Sequence, residues 1–277
     1  MKFSLDDVQA FADFLAGEEK SPATVEKYVR EVMGFAVWLG GRDLDRTMAL
    51  DYKDALAEKR SPAGVNGAVA AVNALFMFLH MPECRIKAVK VQRDLFRDEN
   101  QVLSENDYRR LLDAARKKNN LRLMLVMESI CATGIRVSEL RFFTVEAVRM
   151  GKASVTNKGK TRTVFLPKSL QKKLIKYARQ MGISAGPVFV TRGGLPLDRS
   201  NIWHEMKKLC KDAGVDEGKV FPHNLRHLFA RTFYGIEKDI VRLADVLGHS
   251  NVNTTRIYIM DSGDSHRRML EKMRLVV

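Results

Sequence analysis

The sequence FPHNLRHLFARTFYGIEKDIVRLADVLGHSNVNTTRIY, residues 221–258, concentrates the candidate reactive side chains of the chain. It begins with the pattern H-x-x-R-H at His223, continues with Leu-Gly-His ending at His249, and closes on Tyr258. Imidazoles, a guanidinium and a phenol therefore lie close together in sequence. A phenol beside fixed positive charge suggests a nucleophile directed at phosphate.

A helix is predicted to begin at Pro222. Proline is tolerated at the first helical position because its missing amide would have no partner there. At helical spacing, His223 shares a face with both Arg226 and His227. A buried stripe is predicted from apolar spacing: Leu225, Leu228, Phe229 and Thr232.

A second helix is predicted over residues 240–247, and it should stop at Gly248, since glycine takes the left-handed turn cheaply. His249 is therefore expected just past a helix end. The sequence Asn-Thr-Thr at residues 253–255 favours another short helix, with Tyr258 about one turn in.

Each of these residues taken singly has an ordinary structural explanation. A histidine on a helix is more often packed or at the surface than catalytic, and Tyr258 between Ile257 and Ile259 fits a core position. The order H-x-x-R-H, then Leu-Gly-His, then tyrosine resembles the C-terminal signature of the tyrosine recombinases, the phage-integrase and Xer-type family.

A second motif, ATGIRVSEL at residues 132–140, matches the A-T-G-x-R-x-S-E-L box of that family. Gly134 would let the backbone turn so that Arg136 points into the site. Glu139 would hold this loop through a charge-assisted hydrogen bond.

The family also carries a lysine on a β-hairpin between the two boxes. Residues 153–156, 157–160 and 162–166 predict a strand, a turn and a strand. Lys158 is the better candidate for this lysine. Because the turn is slightly tighter than the commonest family pattern, Lys160 remains a competitor.

The resemblance implies six catalytic residues: Arg136, Lys158, His223, Arg226, His249 and Tyr258. A free tyrosine has a pKa of about 10 and is a weak nucleophile at neutral pH, so His223 would accept its proton. The two arginines would bind the non-bridging phosphate oxygens, and His249 would hydrogen-bond one phosphate oxygen. Lys158 would protonate the departing 5′ oxygen.

The resemblance further implies a 3′-phosphotyrosyl intermediate and a free 5′-hydroxyl, with no metal and no other cofactor. The implied partners are double-stranded DNA and further copies of the chain, as a tetramer on DNA. His227 is interpreted as structural, holding its helix in place.

Three functions remain in competition. A site-specific recombinase, acting in integration, excision, inversion or resolution and including recombinases of mobile elements, fits the five positions in family order. A type IB topoisomerase would share the phosphotyrosyl chemistry but would relax supercoils without a partner protomer. A non-catalytic DNA-binding regulator would have no physical need of Tyr258.

The predicted fold is mainly α-helical with a small β-hairpin. Residues 1–84 show helical periodicity and capping sequences, such as Ser4, Ser21 and Ser61, and resemble the family's helical core-binding, SAM-like bundle. Residues 85–101 predict a basic inter-domain linker. Residues 102–277 predict the α+β catalytic domain with a C-terminal tail, opened by a capping box at Ser104.

Charge is distributed unequally along the chain. Residues 1–100 carry a net charge of −2, whereas residues 101–277 carry +16, which together make up the net +14 of the chain. A polyanionic partner is indicated for the C-terminal part because phosphate contacts release counterions.

Cysteine content and hydropathy argue against a disulfide-rich, membrane-spanning or secreted protein. Cys84, Cys131 and Cys210 are widely separated and are interpreted as reduced, structural residues. No apolar run reaches the length of a membrane span, and the first residues lack the apolar core of a signal peptide. A cytoplasmic protein is therefore expected.

Overall fold

Serine-proline pairs begin two helices of the N-terminal part of the chain. In the computed structural model, which describes residues 5–91, 101–157, 159–191, 193–259, 267 and 270–273, the side chains of Ser21 and Ser61 each accept a hydrogen bond from the amide three residues later. The predicted cap at Ser4 lies outside the described residues. The chain divides into two compact units, Met1–Arg93 and Asp94–Val277.

The N-terminal unit is a helical bundle around an aromatic and aliphatic core. Phe11, Phe35, Leu75 and Phe76 are fully buried in it, as the helical periodicity predicts. Its helices are α1 (Leu5–Gly17), α2 (Pro22–Leu39), α3 (Arg46–Ala57) and α4 (Pro62–Phe78), followed by a 3₁₀ turn at Pro82–Cys84.

The first residues of the predicted linker are bound to this bundle. The side-chain amide of Asn73 accepts from the backbone amide of Ile86 at 2.9 Å and donates to its carbonyl at 2.8 Å. Asn66 makes the same pair of bonds to Val89, at 2.7 and 2.9 Å. The chain therefore runs along α4 as far as Val89, whereas residues 92–100 lie outside the described part.

The C-terminal unit surrounds a central helix, Leu121–Thr133, which is buried along most of its length. The capping box predicted at Ser104 is present: its hydroxyl accepts from the Asp107 amide and its own amide donates to the Asp107 carboxylate, both at 3.0 Å. The helices are α5 (Glu105–Lys117), α6 (Leu121–Thr133), α7 (Val145–Met150), α8 (Lys168–Gln180), α9 (Arg199–Ala213), α10 (Pro222–Glu237), α11 (Ile240–Leu247) and α12 (Val252–Arg256). Short 3₁₀ segments cover Val137–Phe142 and Glu217–Lys219.

A two-stranded antiparallel hairpin lies between α7 and α8. Strand β1 is Lys152–Asn157 and strand β2 is Lys160–Phe165, and Asn157 pairs with Lys160, which leaves a two-residue turn. Gly159 in that turn has φ of 74°, in the region that favours glycine. The predicted fold class, mainly helical with a small hairpin, is confirmed.

Two local details differ from the sequence prediction. The apolar run Pro-Val-Phe-Val at residues 187–190 predicts a short strand, but it forms none; Pro187 and Val190 each make an isolated bridge, to Thr144 and Pro196 respectively. A proline cannot donate to a ladder, so two prolines in these pairings prevent a continuous strand. Tyr258 lies beyond the last residue of α12 and not one turn inside it.

No helix of the described ranges is long and apolar enough to cross a lipid bilayer. Within the same ranges, no group of three histidine, cysteine or acidic side chains is placed to share a metal ion.

Candidate active site

Arg226 is the centre of the site and is among the largest fully buried side chains. Its Nη1 donates to the carbonyl of Gly134, and its Nη2 donates to the carbonyl of Leu247 at 2.7 Å. One guanidinium therefore joins the ends of α6 and α11 to α10. Its Nε is buried and hydrogen-bonds to no atom of the described residues. Burial, and then the charge of Arg136, lower the pKa of Arg226 to about 10, so it stays cationic at neutral pH.

Gly134 permits this arrangement because it lets α10 approach the end of α6 closely and because it adopts a left-handed backbone angle. It ends α6 with φ of 65°, and a Cβ added there would lie 2.4 Å from Cδ1 of Phe229 on α10. The sharp turn is where the sequence predicted it, and Arg136 follows two residues later. The packing of α10 against α6 thus brings Arg226 and Arg136 to the same site.

Glu139 organises the loop that carries Arg136. Its carboxylate accepts from the Arg136 amide at 2.9 Å and from Arg136 Nη1 at 3.0 Å. It also accepts two bonds from Arg162 and one from Asn157. Burial alone would raise the pKa of Glu139, but the hydrogen bonds from Arg162, Arg136 and Asn157 lower it to about 2. The carboxylate is therefore ionised throughout the neutral range.

Tyr258 lies among three histidines. Its hydroxyl is 3.3 Å from Nε2 of His223, and its ring centroid is 4.1 Å from that of His227 and 5.3 Å from that of His249. The tyrosine is 6% exposed, whereas His223 is exposed. The phenol therefore has a hydrogen-bond partner that can exchange protons with solvent.

The position of Tyr258 after α12 has a local cause. Its amide bonds to the carbonyl of Thr255, three residues earlier, at 2.9 Å. The chain tightens into a turn of 3₁₀ type at this point. The turn places the tyrosine ring in the small cluster formed by Ala230, Leu243 and Leu247.

His249 follows the left-handed turn at Gly248, as predicted. Its Nε2 lies 2.9 Å from Nη2 of Arg226, and its Nδ1 lies 2.9 Å from the hydroxyl of the buried Thr255. A guanidinium only donates, so Nε2 accepts and Nδ1 carries the proton. Burial, followed by the charges of Arg226, Arg136 and Arg162, lowers the pKa of His249 to about 4. His249 is therefore neutral at pH 7.

Two adjoining cavities open onto these side chains. One, of about 530 Å³, is lined by Arg136, Lys160, Arg162 and His249. The other, of about 610 Å³, is lined by Arg136, His223, Arg226 and Trp203. Four of the six predicted site residues thus line these two cavities, and Tyr258 is joined to them through its contact with His223. Lys158 lies outside the described residues, whereas its competitor Lys160 borders the first cavity.

Comparison with known proteins identifies the family of the chain. The model of the phage integrase family matches residues 101–263. The chain belongs to this family, the tyrosine recombinases. It is therefore an enzyme of the site-specific recombinase class.

The matches to curated relatives extend over nearly the whole length of this recombinase. Tyrosine recombinase XerA of Thermococcus kodakarensis is 30% identical over 97% of this chain and 95% of the relative. Tyrosine recombinase XerD of Listeria monocytogenes is 27% identical over 91% of this chain and 93% of the relative.

Solved structures share the fold of this recombinase. A crystal structure of XerA recombinase is 26% identical, covers 98% of this chain and 99% of its own, and has a TM-score of 0.54. A lambda integrase (75–356) dimer bound to a COC′ core site is 18% identical, covers 95% of this chain and 97% of its own, and has a TM-score of 0.76.

Arg162 is a residue of the recombinase site that the sequence reasoning missed. It lies on β2 and shares a strand face with the buried Val164, because side chains two apart point the same way. An arginine at an inward-facing strand position is unusual and needs a buried partner, which is Glu139. Strand alternation in the predicted hairpin was the signal that could have found it.

Proposed function

We propose that this recombinase cleaves and rejoins double-stranded DNA at specific sites through a 3′-phosphotyrosyl intermediate formed on Tyr258. The observation that carries the proposal is the position of the phenol, 3.3 Å from Nε2 of His223 and next to the basic space lined by Arg136 and Arg226. A tyrosine held beside an imidazole and two arginines matches what phosphoryl transfer by a phenol requires.

The first step forms one bond and breaks one bond. The oxygen of Tyr258 attacks the phosphorus, and the bond from phosphorus to the 5′ oxygen of the next nucleotide breaks. His223 accepts the phenol proton, and a lysine ammonium supplies the proton that the 5′ oxygen takes as it leaves. The phosphodiester energy is conserved, so attack by a 5′-hydroxyl reverses the step on the same or another strand.

The arginines bind the charge that the reaction concentrates on phosphate. Arg136 is half-buried and opens onto both cavities, and Arg226 holds a buried Nε without a partner among the described residues. The guanidinium of Arg136 fits non-bridging oxygens. The terminal nitrogens of Arg226 donate to Gly134, Leu247 and His249, so Arg226 contributes its positive charge and Nε, which stabilise the extra negative charge of the transition state.

His249 contributes through its Nε2, which now accepts from Arg226. To donate to a phosphate oxygen, Nε2 must take up a proton or the ring must change tautomer. A bound phosphate neutralises the charge of Arg226 and Arg136, which removes part of the cause of the low pKa of His249. Phosphate binding and donation by His249 therefore support each other.

Lys158 is the proposed general acid, with Lys160 as the competitor on the same hairpin. Lys160 is exposed and borders the cavity that also contains Arg136 and His249. Comparison of Lys158→Ala and Lys160→Ala on DNA with a 5′-bridging sulfur separates the two, because a thiolate leaves without a proton. The lysine whose cleavage defect disappears on sulfur is the acid, and rescue of neither variant would contradict the hairpin assignment.

The DNA partner is supported by the charge of +16 over residues 101–277 and by solved relatives. A lambda integrase dimer is bound to a core site and a lambda integrase tetramer is bound to a Holliday junction. We propose a homotetramer on DNA for this recombinase, and a domain division in which residues 1–84 bind the duplex as a core-binding bundle and residues 102–277 perform the chemistry. A recombinase of this kind acts in the cytoplasm, on chromosomal or mobile-element DNA.

Covalent trapping tests the chemistry. Nicked suicide DNA carrying candidate sites from the native locus is incubated with the protein without metal or ATP, and any adduct is mapped by mass spectrometry. The expected product is a 3′-phosphate ester of Tyr258, absent in Tyr258→Phe although DNA binding is retained. Binding without an adduct would favour the regulator, and steady relaxation of supercoiled DNA without a recombination site would favour the topoisomerase.

A further inference from the structure

Arg162 forms a two-pronged ion pair with Glu139. Nη1 of Arg162 donates to Oε1 at 3.0 Å, and Nη2 donates to Oε2 at 2.7 Å. The side chain of Arg162 is 15% exposed and that of Glu139 is 2% exposed. The pair is therefore largely removed from water, and its parallel geometry is one that a guanidinium can make and an ammonium cannot.

The carboxylate of Glu139 joins three segments through its partners. Arg136 directly precedes the 3₁₀ segment, Asn157 is the last residue of β1, and Arg162 is in β2. Asn157 donates to Oε1 at 3.1 Å, directly before the turn of the hairpin. Both sides of the hairpin are thus fixed to the loop that carries Arg136.

Arg162 also contacts the end of α11. A Cβ added to Gly248 would lie 2.5 Å from Cδ of Arg162 and 2.9 Å from its Nε. The arginine side chain therefore packs directly on the glycine that precedes His249. Only a residue without a side chain permits this contact, and φ of 67° at Gly248 favours glycine for a second reason.

Arg162 is not placed to bind the scissile phosphate itself. Both terminal nitrogens are committed to Glu139, and Nε is buried against Gly248 without a partner among the described residues. Arg162 must therefore act through the residues that it holds.

We propose that Arg162 is a positioning residue that fixes the hairpin to Glu139 and Gly248, so that a hairpin lysine reaches the 5′ leaving oxygen beside Arg136 and His249. The proposal rests on the proposed function, since it concerns the protonation of the leaving group in that reaction. It does not depend on which hairpin lysine is the acid, because Glu139 is bonded to both strands, through Asn157 and Arg162.

The test compares two suicide substrates that differ at one atom, with oxygen or sulfur at the 5′-bridging position. The rate of covalent adduct formation is measured for wild type, Arg162→Gln and Arg162→Lys. Arg122→Gln is the matched control, because Arg122 forms a half-buried ion pair with Glu205 at 2.6 Å, away from the residues of the site. Arg136→Ala is the reference for loss of phosphate binding.

Both Arg162 variants should cleave oxygen DNA about 10²-fold more slowly than wild type, the lower range of general acid catalysis. On sulfur DNA their rates should return close to that of wild type, because a thiolate leaves without a proton. Arg122→Gln should behave as wild type on both substrates, and Arg136→Ala should stay slow on both. A merely structural loss would slow both substrates equally.

Arg162 variants that are slow on both substrates, or as fast as wild type on oxygen DNA, would overturn the proposal. If Arg162→Gln loses its thermal unfolding transition, Arg162→Lys, which keeps a positive charge beside Glu139 and leaves the bonds of Glu139 to Arg136 in place, answers the same question. Failure of wild type to form an adduct on either substrate would count against the proposed function and not against Arg162.

Discussion

The ring of His227 lies against the ring of Tyr258, with centroids 4.1 Å apart and planes inclined by 31°. His227 is 5% exposed, and its ring also meets that of His223 edge to face at 4.6 Å. His227 therefore forms one wall of the space that holds the phenol. We therefore expect the second histidine of the H-x-x-R-H motif to position the tyrosine through packing.

Loss of that wall should slow cleavage without removing any group that touches the phosphate. His227→Ala is expected to reduce the rate of adduct formation about tenfold, which corresponds to about 1.4 kcal/mol of activation free energy. His227→Phe keeps a ring against Tyr258 and should be slowed less. Single-turnover cleavage of suicide DNA measures both rates; equal losses in the two variants would show that packing is not the cause.

Gly134 should tolerate no side chain. Gly134→Ala combines a left-handed backbone angle with a contact of 2.4 Å to Phe229, and is expected to lower the free energy of unfolding by about 3 kcal/mol. Gly182 is the matched control, since it follows helix α8 with φ of 68° but has no atom within 4 Å of an added Cβ. Gly182→Ala should cost about 1 kcal/mol. Urea denaturation of both variants checks the difference, and equal losses would exclude the contact with Phe229 as the cause.

Glu139 should make the free energy of unfolding of the C-terminal unit depend on pH. Its pKa is about 2 in the folded chain and 4.5 in the ordinary side chain, so the unfolded state takes up its proton first as the pH falls. The stabilisation, about 3 kcal/mol, is complete above pH 4.5 and is lost between pH 4.5 and 2. Urea denaturation from pH 7 to pH 3 measures the larger part of this loss. Glu139→Gln should be less stable at pH 7 and should lose less on acidification; an unchanged slope would contradict the assignment.

His249 should be neutral without DNA and should carry its proton on Nδ1. Its lowered pKa of about 4 means that the folded state binds this proton less readily than the unfolded state. Stability from this group is therefore present above pH 6.5 and is lost as the pH falls toward 4. Nitrogen chemical shifts from histidine-labelled protein report the tautomer and the titration directly. A proton on Nε2 at pH 7 in the free protein would contradict the hydrogen bond from Arg226.

Much of the site could be predicted from sequence because its geometry is set by local rules. Gly134 and Gly248 mark helix ends by their conformational freedom, and Pro222 marks a helix start. These signals act over a few residues, so they can be recognised in the sequence itself. That Arg136 and Arg226 lie in the same site was predicted from the family resemblance. In the structure, the packing of α10 on α6 brings them together.

The features that were missed depend on contacts between distant segments. The ion pair of Arg162 with Glu139 spans 23 residues and becomes visible only when β2 packs over the loop. The place of Tyr258 beyond α12 depends on the turn at Thr255 and on the ring of His227. The spacing of apolar residues describes one helix or strand at a time. It does not show how contacts with another element fix the residue at which a helix ends.

The hydrogen bond from Nδ1 of His249 to Thr255 connects the phosphate pocket to the segment that ends in Tyr258. In the proposed reaction we therefore expect occupancy of the pocket and the position of the phenol to be thermodynamically coupled, and such coupling is reciprocal. If bound phosphate favours the seated phenol by a given factor, the seated phenol tightens phosphate binding by the same factor. Thr255→Val removes this link while keeping the side chain's size, so it should weaken the coupling, measurable as the difference in DNA affinity between Tyr258→Phe and Tyr258→Ala in either background.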